Sequence, residues 1–140
     1  PMSLQVLTTK LLEFRDERDW ARFHSLRNLI VSLNLEASEL LELTQWKNDA
    51  EMEKLTNDGR LQAALCDECA DVLIYLLLIA EKAGIDLERA AYAKLARNAT
   101  RYPVETSYGS SCKYSQLTAE RVSSERRAAA DGATSSKLAD

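Results

Sequence analysis

Apolar residues recur at helical spacing through the first hundred positions and cease to recur after Pro103. Leu4, Leu7, Leu11 and Phe14 repeat every three or four residues behind Ser3, a fitting N-cap, and this first helix runs into the charged stretch RDERDWARFH. A second helix is predicted from near Ser25 to about Gln45. The polar segment WKNDAEMEKLTNDG reads as a connection holding one short helical turn, with Asp58-Gly59 as its turn signal. The longest helix is predicted from about Arg60 to Ala83, stopped by Gly84 in the left-handed C′ position. Asp86 caps a fourth helix, which ends before Pro103 because the residue preceding a proline is pushed out of helical geometry.

The expected fold is therefore all-α, a bundle of four or five helices in residues 1–103. Only four glycines and two prolines interrupt 140 residues, and a 46% hydrophobic content suffices for one core. From Val104 onward Ser, Ala and Arg dominate. Residues 104–140 are read as a low-core tail, flexible or stabilised by a partner, with a helix available in LTAERVSSERRAAA.

Charge and cysteine content narrow the function classes. A net charge of −4 gives no general attraction for a nucleic-acid polymer, so an anionic ligand needs local cations or a metal. The longest apolar run, VLIYLLLIA, is too short to cross a bilayer, and no signal peptide precedes the first helix. Three cysteines, an odd number, fit a reducing cytoplasm better than a disulfide framework, and Pro1 before Met2 is read as a processing remnant.

The sharpest signal is where the acids point. At about 100° per residue, Leu29 and Leu43 lie roughly 20° either side of Glu36, Leu40 about 40° away and Leu33 about 60°, so Glu36 sits amid an apolar face. Glu39 lies about 60° round from it and Glu42 about 60° further, at the edge. On the next long helix Leu61, Val72, Tyr75 and Ile79 cluster within about 40° of Glu68, with Asp71 about 60° away. Two helices each aim an i, i+3 carboxylate pair at the core.

No lysine or arginine on these helices lies within about 60° of Glu36 or Glu68. Four facing carboxylates repel unless they are protonated or neutralised, and a divalent cation neutralises them together. All-oxygen donors suit Mg2+, with Mn2+ as a substitute, and not zinc. Solvated acids on an exposed face are the alternative, and their angular positions oppose it. A di-iron bundle would use Glu-x-x-His on two helices, whereas the one histidine, His24, stands outside both pairs. Cys66 and Cys69 form a C-x-x-C inside the long helix. With no second pair and no helix start beside them, they are read as packing residues.

Glu36-x-x-Glu39 followed 29 residues later by Glu68-x-x-Asp71 resembles the MazG-like all-α nucleoside triphosphate pyrophosphohydrolases, and within them the small dCTP pyrophosphatases. FRDERDWARFHSLRNL, LEASELLELTQWK, DECADVLIYLLLIA and KLARNATRYP carry the resemblance in order over about residues 4–103. It implies hydrolysis between the α and β phosphates to a nucleoside monophosphate and pyrophosphate, with Glu36, Glu39, Glu68 and Asp71 as magnesium ligands. Glu36, the most enclosed acid, is the candidate to take the proton of the attacking water. Glu42 also matches an acid of the family block.

Lys94, Asn98 and Arg101 fall within about 60° of one another on the fourth helix and match a family block, which makes them candidates for the phosphates rather than a solvated basic face. Trp20, His24, Trp46 and Tyr75 match positions that shape the base pocket, and Lys47 closes the second block. Flat rings stack on a base and an imidazole hydrogen-bonds its edge; the alternative role for each is an ordinary core residue.

The implied role is the cleansing of a nucleotide pool in the cytoplasm. Two alternatives stand beside it: a non-enzymatic helical module with a structural cation, and phosphoribosyl-ATP pyrophosphohydrolase, which the aromatic blocks oppose. A homo-oligomer is expected, a tetramer built as a dimer of dimers. Leu73, Ile74 and Leu77 point away from the Glu68 face and call for cover, and the resemblance implies substrate held between subunits.

Overall fold

Six α-helices and one 3-10 turn are found among the described residues of a computed structural model, which describes residues 3–56 and 59–111 together with Ser123 and Arg126. No strand occurs among the described residues. The helix expected in 117–130 lies outside them, apart from Ser123 and Arg126.

Helix α1, Leu4–Asp16, starts where the sequence places it: the Ser3 hydroxyl accepts from the Val6 N–H at 3.3 Å. It stops at Asp16 instead of continuing through the charged stretch. Asp19 takes a left-handed φ of 52° and a 3-10 turn, Trp20–Phe23, follows. Helix α2, Leu26–Glu42, is capped by Ser25, whose hydroxyl accepts from Asn28 N–H at 3.1 Å, while the Asn28 amide donates to the Phe23 carbonyl at 3.1 Å. The helix ends three residues before the expected Gln45. A turn over residues 43–46 leads to Trp46 at φ 62°, conformational strain for a residue with a Cβ.

The connection holds a full helix, α3, Asp49–Thr56, where a single turn was expected. Its start is a reciprocal capping box: Asn48 Oδ1 accepts from Glu51 N–H at 3.0 Å and Glu51 Oε2 accepts from Asn48 N–H at 2.8 Å. Helix α4, Gly59–Ala83, closes in a Schellman motif around Gly84 at φ 64°, with Ile85 N–H donating to the Ala80 carbonyl at 2.8 Å and Gly84 N–H to the Glu81 carbonyl at 3.1 Å. Helix α5, Leu87–Arg101, ends before Pro103, and a short α6, Val104–Ser107, follows.

The chain divides into two compact units, Pro1–Leu87 and Glu88–Asp140. In the first, α4 is the hub: α2 packs along it most extensively, and α1 and α3 also lie against it. Among the described residues only Leu29, Leu77, Leu78 and Ala80 are buried. Burying a leucine side chain stabilises by about 2 kcal/mol, so this core is thin. Leu77 is 3% exposed, which corrects the expectation that this face of α4 waits uncovered. One turn on, Glu81 accepts from the Arg15 guanidinium at 3.4 Å, so α1 lies on that side. Leu73 and Ile74 are half-buried. No helix among the described residues is long and apolar enough to cross a membrane.

Candidate functional site

Packing of α2 on α4 brings three of the four acids together, Glu36 and Glu39 from one helix and Glu68 from the other. One oxygen from each of Glu36, Glu39 and Glu68 lies within 4.8 Å of the other two. Glu36 and Glu68 are half-buried and Glu39 is exposed. Asp71, half-buried one turn beyond Glu68, stands outside this triad, yet its charge acts on both Glu36 and Glu68.

Burial, followed by the charges of Glu39, Asp71 and Glu68, raises the Glu36 carboxyl above the ordinary glutamate range. Glu68 is raised likewise by burial and then by Glu39, Asp71, Asp67 and Glu42. Glu68 Oε2 is buried and makes no hydrogen bond among the described residues. An acceptor oxygen withdrawn from water without a donor is unfavourable, and a cation relieves it. The donor set is entirely hard oxygen, so Glu36, Glu39 and Glu68 fit a divalent metal ion such as Mg2+.

The aromatic set is not brought together within one chain. Trp20 packs edge-on against Phe14, centroids 5.8 Å apart, and Arg18 lies 3.6 Å over the Phe14 ring. His24 is half-buried within reach of the Arg15 and Lys82 charges, with Nδ1 buried and without a hydrogen bond among the described residues. Burial, then the charges of Arg15 and Lys82, lowers its pKa and holds the imidazole neutral. Lys82 follows Glu68 by fourteen residues, roughly 20 Å along α4. His24 and Trp20 therefore sit at the end of α4 remote from the acids. Trp46 is at the opposite end of α2, a helix of 17 residues or about 25 Å, and is 92% exposed. Tyr75 is half-buried one turn beyond Asp71.

Lys47 donates from Nζ to the Leu43 carbonyl at 2.8 Å, closing the end of α2. In the second unit, Lys94 and Arg101 are exposed and Asn98 half-buried on α5. Two features went unread in the sequence. Asp67 adds its charge to Glu68, a signal available in its position next to the acid. A depression of about 420 Å³ beside Trp46 is lined by Ser38, Leu41, Glu42, Thr44 and Gln45. It depends on the turn at 43–46, which no periodicity announces.

The sequence pattern of the MazG-like family matches residues 31–117. This chain belongs to the MazG-like family. The match spans α2, α4 and α5 and begins after Trp20 and His24. Rat dCTP pyrophosphatase 1 is 45% identical over 126 residues, covering 90% of this chain and 74% of that protein. Bovine dCTP pyrophosphatase 1 is 47% identical over 105 residues, 75% of this chain and 62% of that one. In three dimensions the chain is similar to a pyrophosphatase from Archaeoglobus fulgidus, with a TM-score of 0.68 and 36% identity over 74% of this chain and 94% of the other.

Proposed function

We infer that this MazG-like chain is a nucleoside triphosphate pyrophosphohydrolase that cleaves deoxynucleoside triphosphates, dCTP or a close relative of it, to the monophosphate and pyrophosphate. The observation that carries this reading is the triad of carboxylates from two helices, with a buried Glu68 oxygen that no donor among the described residues satisfies. The 45% identity to rat dCTP pyrophosphatase 1 supports the substrate class.

Glu36, Glu39 and Glu68 hold Mg2+, with Mn2+ as a substitute, and Asp71 completes the negative field. A divalent ion held by these residues would supply neutralisation of phosphate charge for cleavage of the α–β anhydride bond. Glu36, a half-buried acid on the apolar face of α2, takes the proton of the attacking water. Lys94, Asn98 and Arg101 bind phosphate oxygens. Trp46 stacks on the base, with Lys47 and Tyr75 beside the site.

Trp20 and His24 serve the site from a second copy of the chain, since each lies at the far end of α4 from its own acids. A tetramer built as a dimer of dimers supplies this arrangement. It also covers Phe23, Ile30, Val31, Leu35 and Leu41, apolar side chains left exposed around a core in which only Leu29, Leu77, Leu78 and Ala80 of the described residues are buried. The cleansing of a cytoplasmic nucleotide pool follows from such a reaction. Pyrophosphate release from a panel of ribo- and deoxynucleoside triphosphates, with and without Mg2+, tests the reading. Magnesium-dependent release, fastest with dCTP or a modified dCTP, is expected. Absence of release with every nucleotide would overturn it.

A further inference from the structure

Cys66 and Cys69 take no part in the chemistry above, and packing does not explain them either: both thiols are free and exposed on α4. They stand three residues apart with Glu68 between them. Relative to Glu68 they lie about 160° and 100° round the helix, so a single turn presents two thiols outward and a half-buried carboxylate inward.

Helix geometry places such a pair within reach of a disulfide without making the fit relaxed. Cα atoms three residues apart in an α-helix are about 5 Å apart, inside the roughly 4.4–6.8 Å range of disulfides. Their Cβ atoms are about 5–6 Å apart, whereas a disulfide holds them at about 3.5–4.5 Å. Closure therefore contracts the 66–69 turn by roughly 1 Å or more. The backbone that moves carries Glu68, and the convergence of the Glu36, Glu39 and Glu68 oxygens depends on where that backbone lies.

We propose that Cys66 and Cys69 form a peroxide-sensitive dithiol whose closure to a disulfide displaces Glu68 and weakens cation binding at the acid cluster. One cysteine sulfur attacks hydrogen peroxide, and cleavage of the O–O bond gives a sulfenic acid and one water. The second thiol then attacks the sulfenic sulfur, forming the S–S bond and releasing a second water. Two thiols lose two electrons and two hydrogens, and the peroxide is reduced to two waters. Because the bond strains the helix it is readily reduced, so a dithiol reductant restores the open form. Only the effect on the cation rests on reading the cluster as the metal site.

The test uses the full chain with Cys112→Ser, which removes the third cysteine. After stoichiometric hydrogen peroxide, intact mass should fall by two hydrogens and peptide mapping should join Cys66 to Cys69. Mn2+ affinity should drop at least tenfold, in the range expected when support of a ligand is disturbed, and return with dithiothreitol. A Cys66→Ser/Cys69→Ser chain in the same background should bind Mn2+ equally before and after peroxide. Overoxidation in place of the disulfide, or a disulfide that leaves Mn2+ affinity unchanged, overturns the proposal. If even the reduced chain fails to bind Mn2+, the metal reading has failed, and amide exchange decides the switch. Faster exchange in the 66–69 turn after oxidation upholds the strained closure, and unchanged exchange refutes it.

Discussion

The two halves of α4 obey opposite rules. From Val72 to Ala83 it buries Leu77, Leu78 and Ala80, ties Glu81 to Arg15 of α1 and ends in a complete Schellman cap. From Gly59 to Asp71 nothing on it is fully buried. Its Glu68 instead sits half-buried among other acids with an oxygen that has no donor among the described residues. The first arrangement stabilises the unit and the second costs stability. One continuous helix lets the well-packed end hold the unfavourable end in position, which is how a fold sustains a site that violates its own packing rules.

The largest effect should come from the unfavourable half. Glu68→Gln keeps the shape of the side chain while removing a ligand charge and a source of repulsion. Pyrophosphate release is expected to fall at least about 100-fold, with apo melting temperature unchanged or raised. Glu39→Gln should behave alike. Full magnesium-dependent turnover in either variant would remove the carboxylate triad from the mechanism.

In the packed half the opposite pattern is expected. Leu77→Ala should destabilise by about 2–5 kcal/mol in urea unfolding, because the side chain is enclosed and leaves a cavity. The same change at half-buried Leu65 should cost clearly less. Equal losses at the two positions would mean that the halves of α4 are packed alike.

Much of this contrast is legible in the sequence, and the reason is geometric. Periodicity with Ser3, Ser25 and Gly84 as end signals locates α1, α2 and α4, and angular position alone aims Glu36 and Glu68 inward. What resists reading is whatever depends on a neighbour. Leu77 looks uncovered until the folded unit encloses it, and Cys66 and Cys69 look like packing residues until their side of α4 proves open. The split of Trp46 from Trp20 and His24 arises because α2 separates them, a distance that a motif match does not convey. Helix α3 is the exception: the capping box Asn48-x-x-Glu51 was present in the sequence, and its polar surroundings masked it.

A smaller effect should separate base recognition from cation binding. Trp46 is exposed and held in a left-handed conformation, a position with little to contribute to the core. Trp46→Ala should weaken nucleotide binding by about 1–3 kcal/mol, the usual worth of one stacked base, and leave Mn2+ affinity as it was. An unchanged KM across the substrate panel would deny Trp46 the base.

The smallest effect is a slope. Burial and mutual repulsion raise the Glu36 and Glu68 carboxyls above the value of about 4.3 that glutamate has in an unfolded chain. Between that value and the raised one the native state binds more protons than the unfolded state, so stability falls as pH rises through the window. The contribution is fully present in acid and lost toward neutrality. Asp16, held low by the Arg15 guanidinium at 2.6 Å, contributes the opposite slope. It cancels when wild type is compared with a Glu36→Gln/Glu68→Gln chain, which keeps that pair. In the presence of a chelator the variant's advantage in melting temperature should be near zero at about pH 4 and widen as pH rises. Added Mg2+ at neutral pH should raise the melting temperature of wild type alone, because only the native state with its acids binds the ion. A difference that stays flat with pH would mean that these two carboxylates are solvated and unstrained, and the contrast between the halves of α4 would lose its electrostatic basis.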